Sequence, residues 1–180
     1  MNNSPAVIDT NVFSNFALTG HIQIIKTLYA DRLYIPTIVI AECASKSMLY
    51  FYLNQALQEN WIKEYSISYT QTPQEFLEYA KLRRNYHEGE SAVLAIAKVR
   101  GFSVISDDMK AVCRFCRENN LELKGTLGLL FEAYKRQLID QTKGDKILND
   151  MILKNKYTSP VKSMQEIINW FEHRKGRELF

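Results

Sequence analysis

Cysteine is scarce, with three in 180 residues. An odd, small number excludes a disulfide framework as the source of stability and suits a reducing compartment. Cys113 and Cys116 form a C-x-x-C, but no second Cys or His pair stands at zinc spacing, so two buried helix thiols are expected there rather than a metal site. Long apolar runs are lacking as well. The longest, around "LYIPTIVIA", is far too short to span a bilayer, and "MNNSPAVID" has no basic segment followed by a long apolar one. A cytoplasmic protein is expected. Charge of one sign is also weak: a formal +3 does not announce nucleic acid, though it permits an anionic partner where positives cluster. Internal repeats, low-complexity tracts and flexible linkers are missing. The 46% hydrophobic content over this length is enough for one well-buried core and short for two.

What the chain does have is alternation. Short apolar runs at "AVID", "RLYIP", "IKEYSIS", "FSVIS" and "LELKG" are separated by segments of helical periodicity, which predicts an α/β fold with a parallel sheet of about five strands flanked by helices. "GESAVLAIAKVRG" carries its own helix punctuation, with Glu90 in the first turn, Lys98 and Arg100 in the last, and Gly101 as the C-terminal cap. After "LELKG" the pattern is helical to the end. Ser159-Pro160 is the start signal for the last helix, and the basic "HRKGR" reads as a frayed tail.

Carboxylates interrupt this pattern where charge is costly. Asp9 ends the first apolar run and precedes a helix, where an N-cap is the ordinary role. Glu42 is placed early in a helix among apolar and small residues in "PTIVIAECAS", a poor site for a solvated charge, although a lone Glu there commonly escapes to the surface. Glu90 and its weaker neighbour Glu88 are explicable by the helix dipole alone. Asp107 and Asp108 follow "FSVIS" and start the helix "DDMKAVCRFCREN", one of them as its cap. In a parallel sheet, however, Asp9 and Asp107 both fall at carboxyl ends of strands, where open α/β folds place their ligands. Two acids there, joined by Glu42 and Glu90, would surround one point, and like charges so close need a counter-ion. Oxygen-only donors favour Mg²⁺ or Mn²⁺, which activate water and stabilise the leaving oxygen of a phosphodiester.

The order "VIDTN", "PTIVIAE", "GESAVLAIAK", "VISDD", "LKGTLGLL" resembles the PIN-domain family over about residues 6 to 139, closest to its bacterial and archaeal toxin-like branch. The resemblance implies a metal-dependent ribonuclease, often the toxin of a toxin-antitoxin pair and usually homodimeric. RNA, an antitoxin protein and a second copy are then the expected partners, with no membrane. By position, Asp9, Glu42, Glu90 and Asp107 match the four catalytic and metal-binding acids, with Asp108 beside them. Thr10, Asn11 and Thr126 match supporting polar positions. The chain departs from many relatives in having Glu at the third acid, and in its final helices. Residues 1–140 are expected to form the nuclease domain, with 141–180 a helical extension packed on it.

Lys81, Arg83, Arg84 and His87 before Glu90, and Lys110, Arg114 and Arg117 after Asp108, would flank the acids, though a solvated helix face is the commoner fate of such residues. Tyr50, Phe51 and Tyr52 would stack bases, or serve as core or a dimer surface. Two other readings compete: a PIN-like module that binds RNA or protein without cutting, and a haloacid-dehalogenase-like phosphatase. The latter wants an Asp two residues after the first, where this chain has Asn11.

Overall fold

The computed structural model describes residues 4–173. Five strands, β1 (Ala6–Ile8), β2 (Leu33–Pro36), β3 (Ile62–Tyr65), β4 (Ser103–Ile105) and β5 (Leu123–Lys124), form one parallel sheet in the order β3-β2-β1-β4-β5. All five coincide with the apolar runs of the sequence. β1 and β4 are buried along their whole length. This is why they read as continuous apolar segments: strands of a helix-covered parallel sheet are shielded on both faces.

Helices α1 (Thr10–Ala17) and α2 (Gln23–Tyr29) connect β1 to β2, and α3 (Thr37–Cys43) and α4 (Ser47–Gln58) connect β2 to β3. Then α5 (Pro73–Leu82) and α6 (Glu88–Arg100) lead to β4, and α7 (Ala111–Glu118) leads to β5. The chain closes with α8 (Thr126–Lys135), α9 (Gln141–Asn155) and α10 (Met164–His173). Among the described residues, no helix is long and apolar enough to cross a membrane.

The central helix is α6. Ala92 to Ala97 are all buried, the three alanines letting the helix lie close to α3, α5 and the sheet while Val93, Leu94 and Ile96 fill the core. A helix that is apolar all round belongs inside. Its end is as the sequence predicts, with Gly101 in the left-handed region at φ 67°. The terminal helices share the same core: Ile147, Leu148 and Met151 of α9, and Met164 and Ile167 of α10, are each 0% exposed.

Three expectations are corrected. α7 starts at Ala111, not at Asp107 or Asp108, and the residue before it, Lys110, makes no side-chain capping bond. α10 starts at Met164 rather than at Ser159-Pro160; its first amide is capped from α9, by Asp145 Oδ1 at 2.5 Å. Glu42 lies near the end of the seven-residue α3, not early in a helix. Of the two C-x-x-C thiols, Cys116 is buried and pushed up to about 12 by burial, whereas Cys113 is half-buried. The tail "HRKGR" lies outside the described residues beyond His173.

Candidate active site

The crossovers run outward from β1 to β2 and β3, then return to the other side of β1 at β4. The carboxyl ends of β1 and β4 therefore mark the switch point at which open parallel sheets leave a crevice. Register sets what meets there. Ile8 pairs with Ile105, so the next residues, Asp9 and Ser106, stand side by side. Ser106 Oγ donates to Asp9 Oδ2 at 3.3 Å.

Asp9 caps α1, its Oδ1 accepting the Thr10 N–H at 2.7 Å, and is only 6% exposed. Burial raises its pKa to about 6 against the hydrogen bonds from Thr10 and Ser106, with the charges of Glu42 and Glu90 adding to the rise. Capping and site membership are thus both true of one side chain.

Glu42 and Glu90 arrive from two helices. Glu42, exposed at the end of α3, accepts the Gly89 N–H at 3.0 Å. A Cβ on Gly89 would stand 2.8 and 2.9 Å from the two Glu42 oxygens, so only glycine lets the carboxylate close on the start of α6. Glu90 accepts the His87 N–H at 3.2 Å in the first turn of that helix. Its pKa is raised by burial and by the neighbouring Asp108, whose carboxyl faces it.

These groups enclose an open cleft of about 190 Å³ lined by Asp9, Thr10, Asn11, Glu42, Lys46, His87, Gly89 and Glu90. Three of the four predicted acids therefore meet. Asp107 does not line the cleft. Its Oδ1 accepts the Thr126 N–H at 2.7 Å, and its Oδ2 accepts from Thr126 Oγ1 at 2.6 Å and Asn15 Nδ2 at 3.0 Å. Asp107 thus caps α8 instead of its own helix. Gly125 permits this, since a Cβ there would fall 2.6 Å from Asp107 Oδ1. Burial raises the Asp107 pKa against these three hydrogen bonds.

The basic residues divide. Arg83 pairs with Glu88 at 3.2 Å, Lys81 with Glu78 at 3.7 Å and Arg114 with Glu118 at 2.7 Å, as on a solvated face. His87 reaches the cleft, joined by Lys46, which sequence reasoning missed. Tyr50 and Phe51 are exposed on α4, while Tyr52 packs against the core. Asn15 and Ser106 were also missed, because their partners come from distant segments; the Gly89-Glu90 pair was part of the resemblance, but its contact with Glu42 was not foreseen.

Among the described residues, no group of three or more His, Cys, Asp or Glu side chains is already arranged to hold a metal ion. The donor chemistry nonetheless fits a hard divalent cation. The acids of the cleft, Asp9, Glu42 and Glu90, are oxygen donors, and burial disfavours the Asp9 anion; beside Asp9 the buried Thr10 hydroxyl has no hydrogen-bond partner among the described residues. Glu42 and Glu90 would swing from their amide contacts to complete such a site.

The sequence matches the family model of the PIN domain over residues 5–172. No curated relative matches it. Among solved structures, DNA-bound VapBC from Salmonella typhimurium is similar at a TM-score of 0.50 and 15% identity, over 68% of this chain and 98% of that chain. VapBC2 from Rickettsia felis, bound to a DNA fragment from the promoter, scores 0.47 at 16% identity, over 67% and 97%. At such identities the likeness concerns the fold alone. The family match runs through the sheet, the cleft acids and the terminal helices alike, and the chain belongs to the PIN-domain family, whose members are typically nucleases.

Proposed function

We propose that the protein is a metal-dependent endoribonuclease that hydrolyses RNA phosphodiester bonds in the cytoplasm as the toxin of a toxin-antitoxin pair. The observation that carries this reading is the meeting of Asp9, Glu42 and Glu90 on one open cleft at the switch point of the sheet. These acids would hold Mg²⁺ or Mn²⁺, with Asp108 beside Glu90 and the remaining lone pair of Asp107 completing the set. Bound there, the ion would supply an activated water and stabilise the leaving oxygen. The chain's own residues do the rest. Ser106 and the Thr10 amide hold the Asp9 carboxylate in place, and Thr10, Asn11 and Thr126 provide the supporting polar positions. Lys46 supplies positive charge at the rim, and the His87 ring stands beside it as a polar contact for a phosphate. An antitoxin protein and a second copy of the chain are the proposed protein partners. Because every matched acid precedes residue 140, we assign the chemistry to residues 1–140 and read 141–180 as an extension packed on the same domain.

The test is incubation of purified protein with RNA, with Mn²⁺ or Mg²⁺ and after exhaustive chelation, alongside Asp9→Asn. Cleavage should require the ion, the wild type should melt higher with it, and the variant should lose cleavage by orders of magnitude. Cleavage that survives chelation overturns the metal mechanism. A protein that is stabilised by the ion and binds RNA without cutting it is a binding module instead.

A further inference from the structure

We infer that Asn155, the last residue of α9, is a positioning residue for the active site, so that the C-terminal extension completes the nuclease chemistry as well as the core; this rests on the ribonuclease reading above. Asn155 Nδ2 donates to Asn15 Oδ1 at 2.7 Å, and Asn15 Nδ2 in turn donates to Asp107 Oδ2 at 3.0 Å and to Thr126 Oγ1 at 2.9 Å. Asn15 is 5% exposed, and the chain joins segments 140 and 92 residues apart.

The direction of the chain matters. An amide has one acceptor oxygen and one donor nitrogen on opposite sides. With its oxygen held by Asn155, Asn15 can only present N–H groups to Asp107 and Thr126. Without that donor the amide is held from one side only, by its bonds to Asp107 and Thr126, and its oxygen is left without the Asn155 contact. A carboxylate offers about four lone-pair positions, and three donors occupy Asp107. The Asn15 bond therefore decides how the remaining lone pair is aimed.

The chain beyond Asn155 turns back on α9. Lys156 closes α9 in the left-handed region at φ 54°, and Tyr157 N–H donates back to Met151 O at 3.1 Å. This turn carries the Tyr157 ring close enough for the Asp107 charge to add to the upward shift that burial gives its phenol. The end of α9 is therefore tied to Asp107 through the Asn155–Asn15 hydrogen bonds, although no acid of the site lies in the extension.

Asn155→Asp is nearly isosteric and replaces the donor by an acceptor-only group. With the full chain and Mn²⁺, we expect kcat for RNA to fall about 10- to 100-fold with KM within about 2-fold, as for loss of positioning rather than of binding. Asn155→Ala should fall less, and Lys154→Gln on the same turn should behave as wild type. In ¹⁵N-labelled protein, the side-chain amide protons of Asn15 should shift and exchange faster in Asn155→Asp and stay put in Lys154→Gln. A folded Asn155→Asp protein with unmoved Asn15 resonances and wild-type kcat overturns the inference. Resonances that move in a protein whose wild type cuts no RNA uphold the Asn155 to Asp107 coupling and sink the ribonuclease reading instead.

Discussion

Asp9 is both a helix cap and a strained charge, and the two roles respond differently to substitution. Asn caps about as well as Asp, so Asp9→Asn keeps the Thr10 contact while removing a carboxylate whose pKa burial lifts from 3.8 to about 6. The folded protein holds this proton more tightly than the unfolded chain, so the group's contribution to stability is undiminished below pH 4 and is lost as pH rises through about 6. Roughly two pKa units at about 1.4 kcal/mol each give about 3 kcal/mol at most. Metal-free Asp9→Asn should therefore match wild type in urea melts at pH 4 and exceed it by up to that amount at pH 7. Equal stability of the two proteins at pH 7 would mean that Asp9 is not charged against its neighbours. Asp9 and Glu42 were legible in the sequence because each carboxylate interrupts an apolar pattern, whereas Glu90 was legible only through the resemblance to the family. Lys46 and Asn15 were not, since a lysine in a loop and an asparagine in a helix acquire meaning only from partners that the fold delivers.

Among the elements, the strands and α6 were legible and the helix starts were not, for one physical reason. A strand buried on both faces, or a helix buried all round, writes its environment into its own residues. Caps need not be local: Asp107 serves α8 and Asp145 serves α10, each from another element. Asp107 thus stands just before α7 while capping α8, and Ser159-Pro160 lies ahead of the local cap of α10, Ser163, whose Oγ accepts the Glu166 N–H at 3.2 Å. The start of α6 is where element geometry and chemistry meet most closely. Gly89→Ala gains helix propensity, up to about 1 kcal/mol, while its methyl group displaces the exposed Glu42 carboxylate. The expected outcome is a protein as stable as wild type or more so, with cleavage lowered at least about tenfold and a smaller Mn²⁺-induced rise in melting temperature. Unchanged cleavage in a stable Gly89→Ala protein would remove Glu42 from the site.

For the whole molecule, the question is whether residues 141–180 are dispensable. Five large apolar side chains of α9 and α10, Ile147, Leu148, Met151, Met164 and Ile167, are completely buried in the common core. At about 1.5–3 kcal/mol for each, their burial amounts to about 8–15 kcal/mol. That equals the entire net stability of a typical domain, about 5–15 kcal/mol. Truncation also uncovers the faces of α1 and α8 on which α9 packs, creating apolar surface that favours association. The chain ending at residue 140 is therefore expected to show no cooperative thermal transition and to precipitate, with or without Mn²⁺. If it instead melts cooperatively and stays soluble, the core closes without the extension, and its cleavage rate then isolates Asn155: activity lost in a folded, truncated protein points to positioning, whereas full activity would leave α9 and α10 with packing alone.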